Sequence, residues 1–173
     1  MKKYTMGVIV LAALSAGAGL YLGVSKFALE SAQPAAVSRL LGQTLPDKNG
    51  VPQQLSQWRG KALVVNFWAT WCAPCVEEMP ELNQLQTEVE KKNIQIIGIG
   101  IDSAANITSF ASKLKIGYPL YVAGMAGTDL SRLFGNQAGG LPFTVLIDAH
   151  GQIKKTYLGR LNLEEVRREL ASW

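Results

Sequence analysis

The sequence predicts an α/β fold: one central mixed β-sheet flanked by helices, behind a separate N-terminal apolar segment. Three observations lead there. Two apolar, β-prone runs, Ala62–Trp68 and Ile94–Ile101, are nearly continuous, as in strands buried on both faces. Each is followed by a segment whose apolar residues recur at helical spacing, and the chain ends in two further strand-like runs and a helix; the order βαβα…ββα places the helices against a shared sheet. Ahead of all this, 22 residues from Tyr4 to Ser25 carry no charge.

Met1-Lys2-Lys3 is a positive start, and the uncharged run that follows exceeds the ~18–20 apolar residues a membrane-spanning helix needs. The positive-inside rule then leaves the two lysines in the cytoplasm and the body outside it. A cleaved signal peptide is the competing reading, with Val8–Leu14 as its apolar core and Ala16-Gly17-Ala18 before the cut. A retained anchor is favoured because the apolar run continues through Leu20-Tyr21-Leu22. The expected organisation is a signal-anchor over 1–26, a tether over 27–40 without a clear period, and one domain over 41–173.

Asn49-Gly50 is a strong turn signal and predicts a short N-terminal hairpin that extends the sheet. After the Ala62–Trp68 strand, a helix is expected from about Cys72 to Lys91. Pro74 falls in its first turn, where a missing N–H does no harm, and Pro80 lies deeper, where it should kink the helix. Ala104–Lys115 reads as a helix packing Ile107, Phe110, Ala111 and Leu114; Pro119–Val122 as a short strand; Thr128–Phe134 as a short helix capped by Thr128. Phe143–Ile147 and Gln152–Leu158 form two strands around an Ala149-His150-Gly151 turn. Asn162 caps a last helix that turns Leu163, Val166 and Leu170 inward.

Charge is uninformative about partners. From Ser31 onward there are 14 Lys/Arg and 12 Asp/Glu, leaving +2, so the formal +4 of the whole chain gives no footprint for nucleic acid. Lys154, Lys155, Arg160, Arg167 and Arg168 gather near the C-terminus and read as a solvated face. Cysteine is more telling. Cys72 and Cys75 are the only two, too few for a disulfide scaffold, and with the lone His150 they fall short of a four-ligand zinc site. No metal site and no bound cofactor is expected.

The pair stands where a strand gives way to a helix. A thiolate at a helix N-terminus meets unpaired backbone N–H groups and the positive end of the macrodipole, so its pKa falls and it can attack. A second thiol one turn on is close enough to close a disulfide. Phe67 and Trp68, in the strand before, read as core, and Asp102 serves equally well as a helix-start residue or a catalytic one.

Val65-Asn66-Phe67-Trp68-Ala69-Thr70-Trp71-Cys72-Ala73-Pro74-Cys75 with Glu78-Met79-Pro80, and downstream Gly140-Leu141-Pro142-Phe143-Thr144-Val145-Leu146-Ile147-Asp148 with Gly151, resemble the thioredoxin-like reductases of the TlpA/ResA/DsbE type. The resemblance covers roughly residues 40–173 together with the anchor topology. It implies a thioredoxin-like three-layer fold and a redox-active Cys72–Cys75 disulfide, Cys72 being the exposed nucleophile and Cys75 the buried resolving thiol. It makes Pro142 a cis-proline and gives the backbone of Leu141 an incoming peptide to pair with, beside a surface shaped by Trp71. Pro74 and Asn66 are supporting positions. Glu78 matches a family acid that assists proton transfer, against the alternative of a solvated helix glutamate. Asn66 stands where cytosolic thioredoxins carry Asp; an amide cannot act as a base, so Cys75 must lose its proton another way.

By the same resemblance the chain is expected to be a thiol–disulfide oxidoreductase on the outer side of the cytoplasmic membrane, acting mainly as a reductant. Its electrons would come from a membrane thiol transporter of the DsbD/CcdA type. Its substrates would be protein disulfides such as those of apocytochrome c or of copper-site proteins. Two alternatives stay open: a dithiol oxidase or isomerase, and a Cu(I)-binding metallochaperone using the same two thiolates. A peroxidase is disfavoured, because Val65 occupies the position seven before Cys72 where that chemistry wants Pro.

Overall fold

A computed structural model describes residues 34–173. The expected membrane anchor and the first part of the tether, residues 1–33, lie outside the described residues. No helix among those described is long and apolar enough to cross a membrane.

The chain enters in a helix over 34–41 (α1). This corrects part of the expected tether: Ala36, Val37, Leu40 and Leu41 are buried among sheet residues, so this segment belongs to the domain. Their spacing puts them on one helical face. A hairpin follows, β1 (Thr44–Pro46) with β2 (Pro52–Gln54), turned at Gly50 with φ +81°. It forms its own two-stranded sheet and joins the edge of the main one through an Asp47–Tyr121 bridge, with Leu45 packed against the core.

The main sheet takes β3 (Ala62–Trp68), β4 (Ile94–Gly100), β5 (Leu120–Val122), β6 (Phe143–Ile147) and β7 (Ile153–Leu158) in the order β5-β4-β3-β6-β7. β3, β4 and β5 run parallel, and β6 is antiparallel to both neighbours. All seven residues of β3 are buried, which is why that strand shows no alternation. Its odd and even positions face two separate cores. Val64 and Trp68 pack with α2 (Ala73–Val89), α3 (Ala104–Lys113) and α5 (Leu163–Ala171), whereas Leu63, Val65 and Phe67 pack with α1 and α4 (Ala126–Arg132). The result is the expected three-layer α/β arrangement.

Local signals decide where the helices begin. Ser103 Oγ accepts from the Asn106 N–H, and Asn162 Oδ1 accepts from that of Glu165, as end caps should. The α4 start differs from expectation: the helix opens at Ala126 after Met125, which offers no capping side chain, and Thr128 lies inside it. Gly127 permits this, because a Cβ there would come within 2.8 Å of Ile101. Pro80 lies inside an uninterrupted α2. His150 is an exposed turn residue, its N–H and that of Gln152 donated to Asp148 Oδ1.

Candidate active site

The site lies at the end of the sheet where β3 stops and α2 starts. Cys72 and Cys75 are joined by a disulfide, with Cα atoms 5.3 Å apart. Cys72 is the N-cap of α2 and its sulfur accepts from the Cys75 N–H at 3.3 Å. A thiolate at this position therefore has a backbone donor already aimed at it. Pro74 occupies the first turn of the helix without breaking a hydrogen bond. The two sulfurs are unequal. Cys72 is itself nearly buried, at 6% exposed, so it is not the exposed thiol that the resemblance implied; its neighbours Trp71, at 70%, and Ala73 are exposed, and Cys75 is fully covered. Only the first can be reached by a partner.

The loop holding Trp71 is tied down from the side. The Thr70 hydroxyl donates to Asp102, whose other oxygen accepts from the Ser103 N–H and the Asn106 amide. These bonds, led against the cost of partial burial, hold the Asp102 carboxyl below the usual carboxylate range. On the opposite side, Phe143 pairs with Phe67, which places Leu141-Pro142 at the end of β3 from which the cysteine loop departs. The Leu141–Pro142 peptide is cis. Pro142 is buried, Leu141 half-buried, and Leu141 packs against the core that contains both cysteines. Leu158 stands exposed over Gly140, where a Cβ would come within 2.9 Å of it. Trp71, Leu141 and Leu158 give this end of the sheet an apolar surface.

Beneath the pair is a buried polar group. Asn66, on the β3 face toward α2, donates through Nδ2 to Glu78 Oε1 at 2.8 Å and to Thr144 Oγ1 at 3.0 Å. Glu78 Oε2 accepts from the Leu161 N–H at 3.1 Å. All three side chains have no exposed surface, so Glu78 is not the solvated glutamate that was the alternative. Burial pushes its carboxyl above the usual range, opposed by the Leu161 and Asn66 hydrogen bonds and by Arg160, and reinforced by Glu81. Tyr118, buried and raised by burial and by Glu78, leaves its hydroxyl unpartnered, as is Asn66 Oδ1.

The structure thus brings Cys72, Cys75, Trp71, Pro74, Leu141, Pro142, Glu78 and Asn66 to one end of the sheet. Sequence reasoning missed Thr144, Asp102's tie to Thr70, and Leu161. Thr144 was visible as a polar residue inside an apolar strand; the Leu161 backbone N–H left no signal. The segment carrying it is fastened twice: Gly159 N–H donates to Pro142 C=O at 2.8 Å, and Arg160 reaches Glu77 and Glu81 on α2. Among the described residues no three His, Cys, Asp or Glu side chains cluster as metal ligands would.

With this geometry in hand, the relatives are informative. The Redoxin family pattern matches residues 28–170. A thiol-disulfide oxidoreductase ResA of Geobacillus thermodenitrificans is 30% identical over 172 residues, 99% of this chain and 96% of its own. A solved thioredoxin-family thiol:disulfide interchange protein from Chlorobium tepidum is 27% identical with a TM-score of 0.62, covering 76% of this chain and 95% of that one. A secreted Mycobacterium tuberculosis disulfide oxidoreductase, described as homologous to E. coli DsbE, shares the fold at 20% identity and a TM-score of 0.64, over 77% of this chain and 97% of that one.

Proposed function

The chain belongs to the redoxin family as a thiol–disulfide oxidoreductase of the ResA/DsbE type, and we propose that it acts as a reductant of protein disulfides outside the cytoplasmic membrane. The observation that carries this reading is the asymmetry of the pair: Cys72, 6% exposed, caps α2 beside the exposed Trp71, and Cys75, with no exposed surface, lies on the α2 face that also carries Glu78, one turn on. In the reduced protein the Cys72 thiolate attacks a substrate disulfide; one substrate sulfur leaves as a thiol and the other stays bonded to Cys72. Cys75 then attacks Cys72, the Cys72–Cys75 disulfide forms, and the second substrate sulfur leaves. Two electrons pass to the substrate, and a donor must return them.

Cys75 needs to lose a proton in that second step, in a place water does not reach. Glu78 is the acceptor. Its raised proton affinity brings it nearer to a thiol's than an exposed glutamate's would be. Asn66 suits both states of the acid: its Nδ2 donates to the carboxylate, and its unpartnered Oδ1 can take the hydrogen of the carboxylic acid after an amide rotation. Leu141, beside Pro142, offers backbone to an incoming peptide, and Trp71 and Leu158 give that peptide apolar contact.

The positive start followed by 22 uncharged residues supports a single-pass anchor over residues 4–25 with the domain outside. A membrane thiol transporter of the DsbD/CcdA type fits as donor. Cysteine pairs of apocytochrome c or of copper-site proteins fit as substrates, in cytochrome c maturation or oxidase assembly. The test is the reduction potential of the Cys72/Cys75 couple, equilibrated against dithiothreitol. A value near or below about −270 mV is expected of a reductant; one approaching about −120 mV would make the protein an oxidant and overturn the proposal.

A further inference from the structure

We propose that the end of the domain opposite Cys72 is a docking face for an anionic phospholipid surface, an inference that rests on the anchor over residues 4–25 being retained. The sheet register defines that end. Ala62 pairs with Ile94 at the start of β3 and β4, and Leu63 with Ile147, which pairs with Ile153. The segments beside these residues therefore gather together, while Cys72 leaves from the other end, about 20 Å away along seven residues of β3. α2 and α5 both start at the redox end and run toward this one, delivering Lys91, Lys92 and Trp173 to it.

The chain also enters here. Pro34 lines a cleft together with Arg59, Gly60, Ala149, His150 and Gly151. Between Lys26, which ends the apolar stretch, and Pro34 stand residues 27–33. Seven residues reach about 25 Å even when fully extended. A retained anchor thus holds this end within about 25 Å of the bilayer, where a weak attraction is amplified by a high effective concentration.

The chemistry of the face suits such a neighbour. Arg59, Lys91, Lys92 and Lys154 are exposed, as is His150, and Lys61 is half-buried beside the Trp58 ring. The acids present are Glu90 and Asp148. Asp148 is engaged by two N–H groups of its own turn and lies 3.9 Å from Lys154. Counting Lys, Arg, Asp and Glu side chains, the face carries +3, whereas the same residue types over 34–173 come to +2, so the rest of the domain is slightly negative. Within the face a cleft of about 270 Å³ has Ala62, Ile94 and the half-buried Trp173 as its apolar lining, with Lys92 and Lys154 at its edge. An indole amid lysines is the composition of a membrane–water interface: the ring rests at headgroup level while the ammonium groups meet phosphates.

The experiment uses the full chain in nanodiscs of phosphatidylcholine with brominated acyl chains, with or without phosphatidylglycerol. Subtracting the quenching of Trp173→Phe from that of the wild type isolates Trp173. Quenching of this residue is expected only with phosphatidylglycerol, and is expected to be lost in high salt. In Lys92→Glu/Lys154→Glu the apparent affinity for the anionic surface should fall at least about tenfold, with insulin-disulfide reduction unchanged as the check on folding. A chain that stays embedded in carbonate while Trp173 ignores lipid charge, salt and the double reversal overturns the docking face alone. A chain that carbonate extracts overturns the anchor, and the docking face with it.

Discussion

Along α2, Glu78 turns inward and ends with no exposed surface, while Glu77, Glu81 and Glu88 stand outward and pair with arginines that follow β7. The residue type, the helix and the sequence neighbourhood are shared. Burial alone separates them, and it reverses the chemistry. Arg167 holds Glu88 below the usual carboxylate range, chiefly by its hydrogen bonds, whereas burial lifts Glu78 above it. Glu88 therefore stays ionised and ties α2 to α5, and the inner glutamate is able to exchange a proton near the resolving thiol.

The largest effect should come from removing that exchange. Glu78→Gln keeps the shape and one acceptor but cannot take a proton. General-base assistance contributes roughly 10²–10⁴-fold, so resolution of the Cys72 mixed disulfide should slow by at least about a hundredfold. The wild-type rate should rise with pH as Glu78 ionises, and that limb should vanish in the variant. Rapid-quench trapping of the mixed disulfide across pH reads both. An unchanged rate with an unchanged pH profile would remove Glu78 from the reaction.

Next comes Asn66→Ala, which strips a donor from Glu78 and from Thr144 in a place without water. Leaving buried polar groups unsatisfied costs about 1–3 kcal/mol, measurable by urea unfolding of the oxidised protein. The same substitution at an exposed asparagine, such as Asn49, should cost well under that.

A third outcome concerns pH and stability. Glu78 is raised in the folded protein above the ordinary glutamate value of 4.5, so the folded state binds this proton more tightly than the unfolded chain does. The stability it contributes is complete below about pH 4.5 and is lost as pH rises through the raised value. Between those limits the wild type should lose stability relative to Glu78→Gln. Glu88, lowered in the fold, carries the opposite sign: its contribution is present above its unfolded value and fades as pH falls through the lowered one. Parallel denaturation series of Glu78→Gln and Glu88→Gln should therefore diverge from the wild type in opposite directions.

How much of this the sequence announced depends on whether the cause was local. The buried strands were legible because burial on both faces leaves an unbroken apolar run, and the Asn162 cap because its own oxygen does the work. Glu78 was half legible: it precedes Leu82, Leu85 and Val89 by four, seven and eleven, so the helical period already placed it on the inner face. What the period could not supply was the other side of the bond, a backbone N–H at Leu161, 83 residues away. The helix over 34–41 was hidden for a different reason. Eight residues carry barely two turns of pattern, and only its packing against the sheet makes the segment helical.

The smallest effect belongs to the outer glutamates. Arg167 contacts Glu88 through two nitrogens at 2.9 and 3.0 Å and Glu164 at 2.8 Å, yet its side chain is a third exposed and Glu88's nearly half. Exposed pairs are worth roughly 0–1 kcal/mol, because water already solvates both charges and ordering two long side chains costs entropy. Arg167→Ala should therefore cost less than about 1 kcal/mol, and the loss should shrink as salt is raised toward 1 M, where screening acts within about 3 Å. Its redox turnover and pH profile should match the wild type, since Arg167 acts on the outer face of α2. If this change instead moved the mixed-disulfide pH profile as Glu78→Gln does, the two faces of the helix would be electrostatically one site, and the division between them would fail.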